Sequence, residues 1–111
     1  GSSDLPLILF DSREAGALHR AEALAGEISH LCIGLGGSIT GEHGVGMEKL
    51  NQMCSQFPRE ELDMFTGVKR AFDPAGLLNP GKVIPTLHRC AEYGRMRVLG
   101  GKLPFADLPR F

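Results

Sequence analysis

Asp11-Ser-Arg-Glu-Ala-Gly-Ala-Leu-His-Arg-Ala-Glu-Ala-Leu-Ala-Gly-Glu-Ile-Ser-His-Leu-Cys-Ile-Gly-Leu-Gly-Gly37 is the stretch that decides the fold class. Within it Leu18, Ala21, Leu24, Ala25, Ile28, Leu31, Cys32 and Leu35 recur at helical spacing, while Arg20, Glu22, Glu27 and Ser29 lie mostly off that face. Asp11 followed by Glu14 is a helix-start pattern, and Gly36-Gly37 is a stop. The spacing predicts an amphipathic helix over about residues 13–35. Before it, Pro6-Leu-Ile-Leu-Phe10 reads as a short buried strand, and after it Ser38-Ile39-Thr40 can form a second. The expected class is α+β, rich in helix, with a short and incomplete sheet. So little sheet is not stable alone. Either a second copy supplies strands or the chain is a piece of something larger, and open edges predict self-association.

Further along, Glu48 to Cys54 can form a short helix, and a clearer one starts near Pro58. Glu60, Glu61 and Asp63 suit the positive end of its dipole, and Lys69 and Arg70 the negative end. Leu62, Phe65, Val68 and Phe72 make its predicted buried stripe, and Asp73-Pro74 stops it. Asp73-Pro-Ala-Gly76 and Asn79-Pro-Gly81 are turn sequences. After Pro85 the periodicity weakens. Gly100-Gly101, Pro104 and Pro109 predict an irregular end, so residues 88–111 read as a basic, mostly irregular tail on a body spanning residues 4–87. Gly1-Ser2-Ser3 reads as a cloning remnant.

Charge and cysteine usage narrow the function classes. The net charge is −1, which argues against nucleic acid as the main partner. Residues 1–87 balance to −4 and residues 88–111 to +3, which leaves open a tail that folds back on the body, one that docks on a partner, or one that is simply solvated. Cys32, Cys54 and Cys90 are odd in number, widely spaced and without a C-x-x-C, which fits a reducing cytoplasm and no structural zinc. Cys32 falls on the apolar helix face and reads as core. No apolar run approaches the roughly 18 residues of a membrane span.

The chemistry concentrates in Gly34-Leu-Gly-Gly-Ser-Ile-Thr-Gly-Glu-His-Gly-Val-Gly46, whose ionisable side chains are Glu42 and His43. Neighbours on a regular strand point to opposite faces, so these two share one site only if the chain turns there, as Gly41 and Gly44 allow. The residues alone leave several alternatives open. The pair is a carboxylate ligand and a general base, or a polar turn with a hydrogen-bonded histidine. The glycines could instead form an anion-binding nest, although neither G-x-x-x-x-G-K-[ST] nor a strand-borne G-x-G-x-x-G is present. His19 and His30 lie about 16 Å apart along the helix, too far to share an ion, and His88 has no partner at ligand spacing.

Gly36-Gly-Ser-Ile-Thr-Gly-Glu-His-Gly-Val-Gly46, Glu48-Lys-Leu-Asn-Gln-Met-Cys54, Ala71-Phe-Asp-Pro-Ala-Gly-Leu-Leu-Asn-Pro-Gly-Lys82 and Ile84-Pro-Thr-Leu-His-Arg-Cys-Ala-Glu92 closely resemble the C-terminal end of FAD-linked D-2-hydroxy-acid oxidoreductases. Among them the resemblance is greatest to the FAD-linked subunits of the glycolate oxidase type, with D-lactate dehydrogenases and D-2-hydroxyglutarate dehydrogenase as relatives. It runs from about Pro6 to Phe111. It implies a cap domain with a ferredoxin-like antiparallel sheet, of which this chain holds part. It implies that Glu42 is a metal ligand, that His43 is the catalytic base at the substrate hydroxyl, and that Asn79 lies near the flavin. The implied reaction takes a 2-hydroxy acid to a 2-oxo acid, with hydride passing to FAD and a divalent metal polarising the hydroxyl. The implied partners are the hydroxy-acid substrate and other glycolate oxidase subunits, including an iron–sulfur subunit. A cytoplasmic location follows, with inner-membrane association through those subunits.

The departures from the family pattern are as informative. The FAD-binding domain of such proteins precedes everything present here. Their metal-binding histidine pair falls where this chain has Gly1-Ser-Ser-Asp-Leu5, with Leu5 at the second histidine. The expectation is therefore a segment that alone binds no FAD, holds no catalytic metal and turns over no substrate. The remaining alternatives are a non-catalytic docking module for an electron-transfer subunit, a D-lactate dehydrogenase segment, or an anion-binding domain built on the glycine loop.

Overall fold

In the computed structural model, which describes residues 6–99, four helices follow one another: α1 Ala17–Gly34, α2 Leu50–Gln56, α3 Arg59–Phe72 and α4 Leu87–Leu99. The readings of Gly1-Ser2-Ser3 and Leu5, and of the tail from Gly100 onward, lie outside the described residues. Helix α1 starts later than the Asp11 signal implies. The Asp11 carboxylate is taken by the Arg13 backbone N–H at 2.9 Å and by its guanidinium at 3.0 Å, so it caps no helix. Gly16, at φ 75, then forces a left-handed step that only the next residue can leave as helix. The other end matches the sequence. Gly36 has φ 82, its N–H donates to Ile33 O at 3.0 Å, and the Gly37 N–H donates to Cys32 O at 2.7 Å. These two bonds make a Schellman stop, which satisfies carbonyls that the helix end leaves orphaned.

No strand forms among the described residues. The expected short sheet is therefore not seen there, and 6–10 and 38–40 are irregular chain. The physical reason is partnership. A strand is completed by ladder bonds, and the Ile39 N–H instead donates to Gln56 Oε1 at 2.9 Å. Leu7 and Leu9 stand 83% and 85% exposed, with no layer against them among the described residues.

Helix α3 carries the charges as expected, Glu60 and Glu61 in the first turn and Lys69 and Arg70 in the last. Its end is built by Asp73. That carboxylate accepts from the Leu77 N–H and the Leu78 N–H at 2.9 Å each and from Lys69 Nζ at 2.5 Å, while the same ammonium reaches Leu78 O. The Lys69 bond, opposed by burial and aided by the two N–H donors, holds the Asp73 carboxyl down at about 2.

The core is small. Ile39, Val45, Met53 and Leu62 form it, with Ile33, Phe57, Phe65 and Cys90 packed around them. Phe57 meets Phe65 edge to face at 5.1 Å. Two predicted stripes are only partly used. On α1, Leu18, Leu24 and Leu31 are exposed, as is Leu35 just past its end, and Cys32 is half-buried rather than core. On α3, Leu62 is buried and Phe65 half-buried, but Val68 and Phe72 face outward.

The start of the predicted irregular tail is helical. Helix α4 folds back on the body. Cys90 is disulfide-bonded to Cys54, with Cα atoms 5.4 Å apart. Arg89 Nε donates to Asn51 Oδ1 at 2.8 Å, and Tyr93 Oη lies 2.6 Å from His30 Nε2 with the two rings stacked. The Cys54–Cys90 bridge is a pairing that the wide cysteine spacing did not signal.

Candidate functional site

The segment 40–46 turns as its glycines allow. Thr40 Oγ1 accepts the Gly44 N–H at 2.9 Å, closing a loop around Gly41, Glu42 and His43. Gly44 and Gly46 hold φ 80 and φ 53, which L side chains rarely adopt. Buried Ile39 and Val45 flank the loop and seat it on Met53 and Leu62. The loop is thus clamped at both shoulders while its tip faces outward.

Glu42 and His43 do not diverge as neighbours on a strand would. His43 Nε2 lies 3.5 Å from Glu42 Oε1. The two side chains therefore lie on the same side of the loop tip. Both side chains are open to solvent, at 87% and 64% exposure, and no wall rises over them among the described residues. A hollow of about 880 Å³ opens elsewhere, between α1, α2 and α4, lined by Leu18, Glu22, His30, Gln52, Arg89 and Tyr93 among others; neither Glu42 nor His43 reaches it.

Among the described residues no group of three or more His, Cys, Asp or Glu side chains could hold a metal ion. One carboxylate and one imidazole fall short of a divalent-ion donor set, so the described residues do not by themselves fit a catalytic metal. Asn79 stands exposed at φ 47, just after the turn organised by Asp73. His19 joins the hollow on α1 without joining Glu42 and His43, and His88 Nδ1 sits 3.5 Å from Glu92 Oε2 on α4.

Three residues that sequence reasoning passed over shape this region. Thr40 supplies the oxygen that closes the loop; a hydroxyl residue four places ahead of a glycine was the signal. Gln56 receives the Ile39 N–H, and no local pattern announces that contact. Val83 donates its N–H to Gly46 O at 2.9 Å, tying the chain that leaves Asn79 to the end of the glycine loop. Val83 does so at φ 65, inside a turn closed by Ile84 N–H to Lys82 O at 2.7 Å. A β-branched residue there is strained, and it persists because the tether over-determines it. The two motifs singled out in the sequence are therefore physically joined.

Comparison with known proteins covers both motifs. The glycolate oxidase subunit GlcD of Escherichia coli (strain K12) is 63% identical over 106 residues, which is 96% of this chain and 21% of that protein. GlcD of Bacillus subtilis (strain 168) is 41% identical over 94 residues, 85% of this chain and 19% of that protein. A D-lactate dehydrogenase of Archaeoglobus fulgidus is 46% identical over 57 residues, 51% of this chain and 13% of that protein. The chain thus spans about a fifth of the length of the first two relatives. No solved structure matches it. The family model described as FAD linked oxidases, C-terminal domain, matches residues 5–83, and the chain belongs to that family.

Proposed function

We propose that this chain is the C-terminal, substrate-side segment of an FAD-dependent 2-hydroxy-acid oxidase of the glycolate oxidase type. In it His43 takes the proton from the substrate hydroxyl, Glu42 contributes one ligand to a divalent metal, and Asn79 lies beside the flavin. The observation that carries the reading is the solvent-facing Glu42–His43 pair, 3.5 Å apart on a loop clamped at both ends. Such a pair is suited to meet a substrate held by another surface. His43 accepts the proton at a ring nitrogen. The flavin supplies the two-electron acceptor. The remaining metal ligands and the substrate-carboxylate contacts belong to polypeptide outside this segment, which alone binds no flavin and turns over nothing.

The same reading accounts for the exposed row Leu18, Leu24 and Leu31 on α1, with Leu35 just past its end, and for Leu7 and Leu9. Apolar surface of that extent is normally covered. In the longer protein the cover is the ferredoxin-like sheet of the cap domain. In the isolated chain it is a second copy, so light scattering should detect association that grows with concentration. An iron–sulfur subunit is the expected electron-transfer partner of the whole enzyme, and D-lactate is the alternative substrate.

The decisive experiment uses the full-length oxidase carrying this segment. His43→Gln should slow anaerobic flavin reduction by glycolate by about 10²- to 10⁴-fold at unchanged flavin content. Glu42→Gln should lower bound metal as well as rate. Reduction at the parental rate in His43→Gln would remove His43 from the mechanism. A yellow flavin spectrum in the purified 111-residue chain would overturn the expected inactivity of the segment.

A further inference from the structure

One of the contacts that attach helix α4 to the body is covalent. The Cys54–Cys90 bridge ties α4 to α2 across 36 residues of sequence. Helix α2 has 7 residues and α4 has 13, with Gly94 inside it. Helices this short are marginal unless tertiary contacts hold them. The other contacts of α4 named above are Arg89 to Asn51, Tyr93 with His30, and Cys90 against the core. Both bridging cysteines are half-buried, so a small thiol can reach them. Arg89 adjoins Cys90 and is bonded to Asn51, one turn ahead of Cys54. Thiol–disulfide exchange proceeds by attack of a thiolate on one sulfur of the bridge.

We propose that Cys54 and Cys90 form a reversible redox lock that fastens the basic helix α4 to α2. Closing the lock oxidises the two thiols, which release two protons and two electrons. A low-molecular-weight disulfide takes them up and leaves as two thiols, after passing through a mixed disulfide with one cysteine. Opening runs the same exchange backwards. The consequence reaches the Glu42–His43 loop, because Cys90 packs on the cluster containing Ile39 and Val45, the two shoulders of that loop. With the lock open, α4 keeps only its non-covalent contacts, and that cluster loses a side chain fixed against it. Cys32, on α1, is outside the lock.

The chain carries its own reporter. Tyr93 lies in α4 against His30 of α1, and the sequence contains one tyrosine and no tryptophan. Equilibrating the full chain over a range of glutathione to glutathione disulfide ratios should raise the titratable thiols from one to three as conditions become reducing. Tyrosine emission should change over the same range. Cys90→Ser should show the emission of the reduced chain at every ratio, and Cys32→Ser should behave as the parent. Peptide mapping of the oxidised chain should recover a Cys54–Cys90 pair. Three free thiols at every ratio, or a disulfide mapped to Cys32, would overturn the lock. So would a thiol transition that leaves tyrosine emission unmoved, since α4 would then stay docked without the bridge.

Discussion

Leu62→Ala is the sharpest test of how the fold holds the Glu42–His43 loop. Leu62 is 5% exposed and packs in one cluster with Ile39, Val45 and Met53. Truncation removes three buried carbons, at about 0.8 kcal/mol each, or about 2.4 kcal/mol of transfer energy. A residual cavity adds to that, as in measured Leu→Ala series of about 2–5 kcal/mol. The neighbours Phe57 and Phe65 are only half-buried and free to relax, which keeps the expected cost near the low end, about 2.5 kcal/mol. Val68→Ala on the same helix is the control. Val68 is 56% exposed, and its truncation should cost below about 1 kcal/mol. Urea unfolding followed by circular dichroism measures both. At an m-value of about 1 kcal/mol/M, Leu62→Ala should lower the midpoint by about 2.5 M and Val68→Ala by under about 1 M. Amide signals of Gly41 and Gly44 should move in Leu62→Ala only, because Ile39 and Val45 seat that loop. Equal costs for the two variants would refute the assignment of the core. Unmoved Gly41 and Gly44 amides would refute its link to the loop.

The remaining predictions are these. The Asp73 carboxyl is depressed to about 2 from 3.8, so its stabilising contribution is complete above the unfolded value and fades as pH falls from about 4 through 2. Thermal unfolding against pH should show that acid limb, and Asp73→Asn should flatten it while lowering the melting temperature at neutral pH. Gly44→Ala places a Cβ at φ 80 in open space, so it meets no clash but carries left-handed strain of about 1–2 kcal/mol, measurable in the same urea assay. Thr40→Val keeps shape but removes the acceptor of the Gly44 N–H. Hydrogen exchange at Gly44 should accelerate with a global loss of only about 1 kcal/mol.

What the sequence determined by itself was local. The stop of α1 at Gly36-Gly37 is legible because a positive φ and two carbonyl-satisfying bonds need nothing beyond those few residues. Helix α3 is legible because its end charges answer its own dipole, and the turn at Glu42-His43 because its glycines permit it. The motifs also carried the family, since two short segments with unusual glycine and proline content are hard to match by chance. Tertiary structure alone decided which apolar faces are covered. The α1 stripe follows the helical period, yet a period cannot say whether anything lies against it. The segment 6–10 had the composition of a strand and finds no ladder partner among the described residues. The pairing of Cys54 with Cys90, the fold-back of α4 and the strained Val83 tether join residues far apart in the chain. Such contacts exist only after loop closure has been offset by packing, and no local residue pattern encodes that balance.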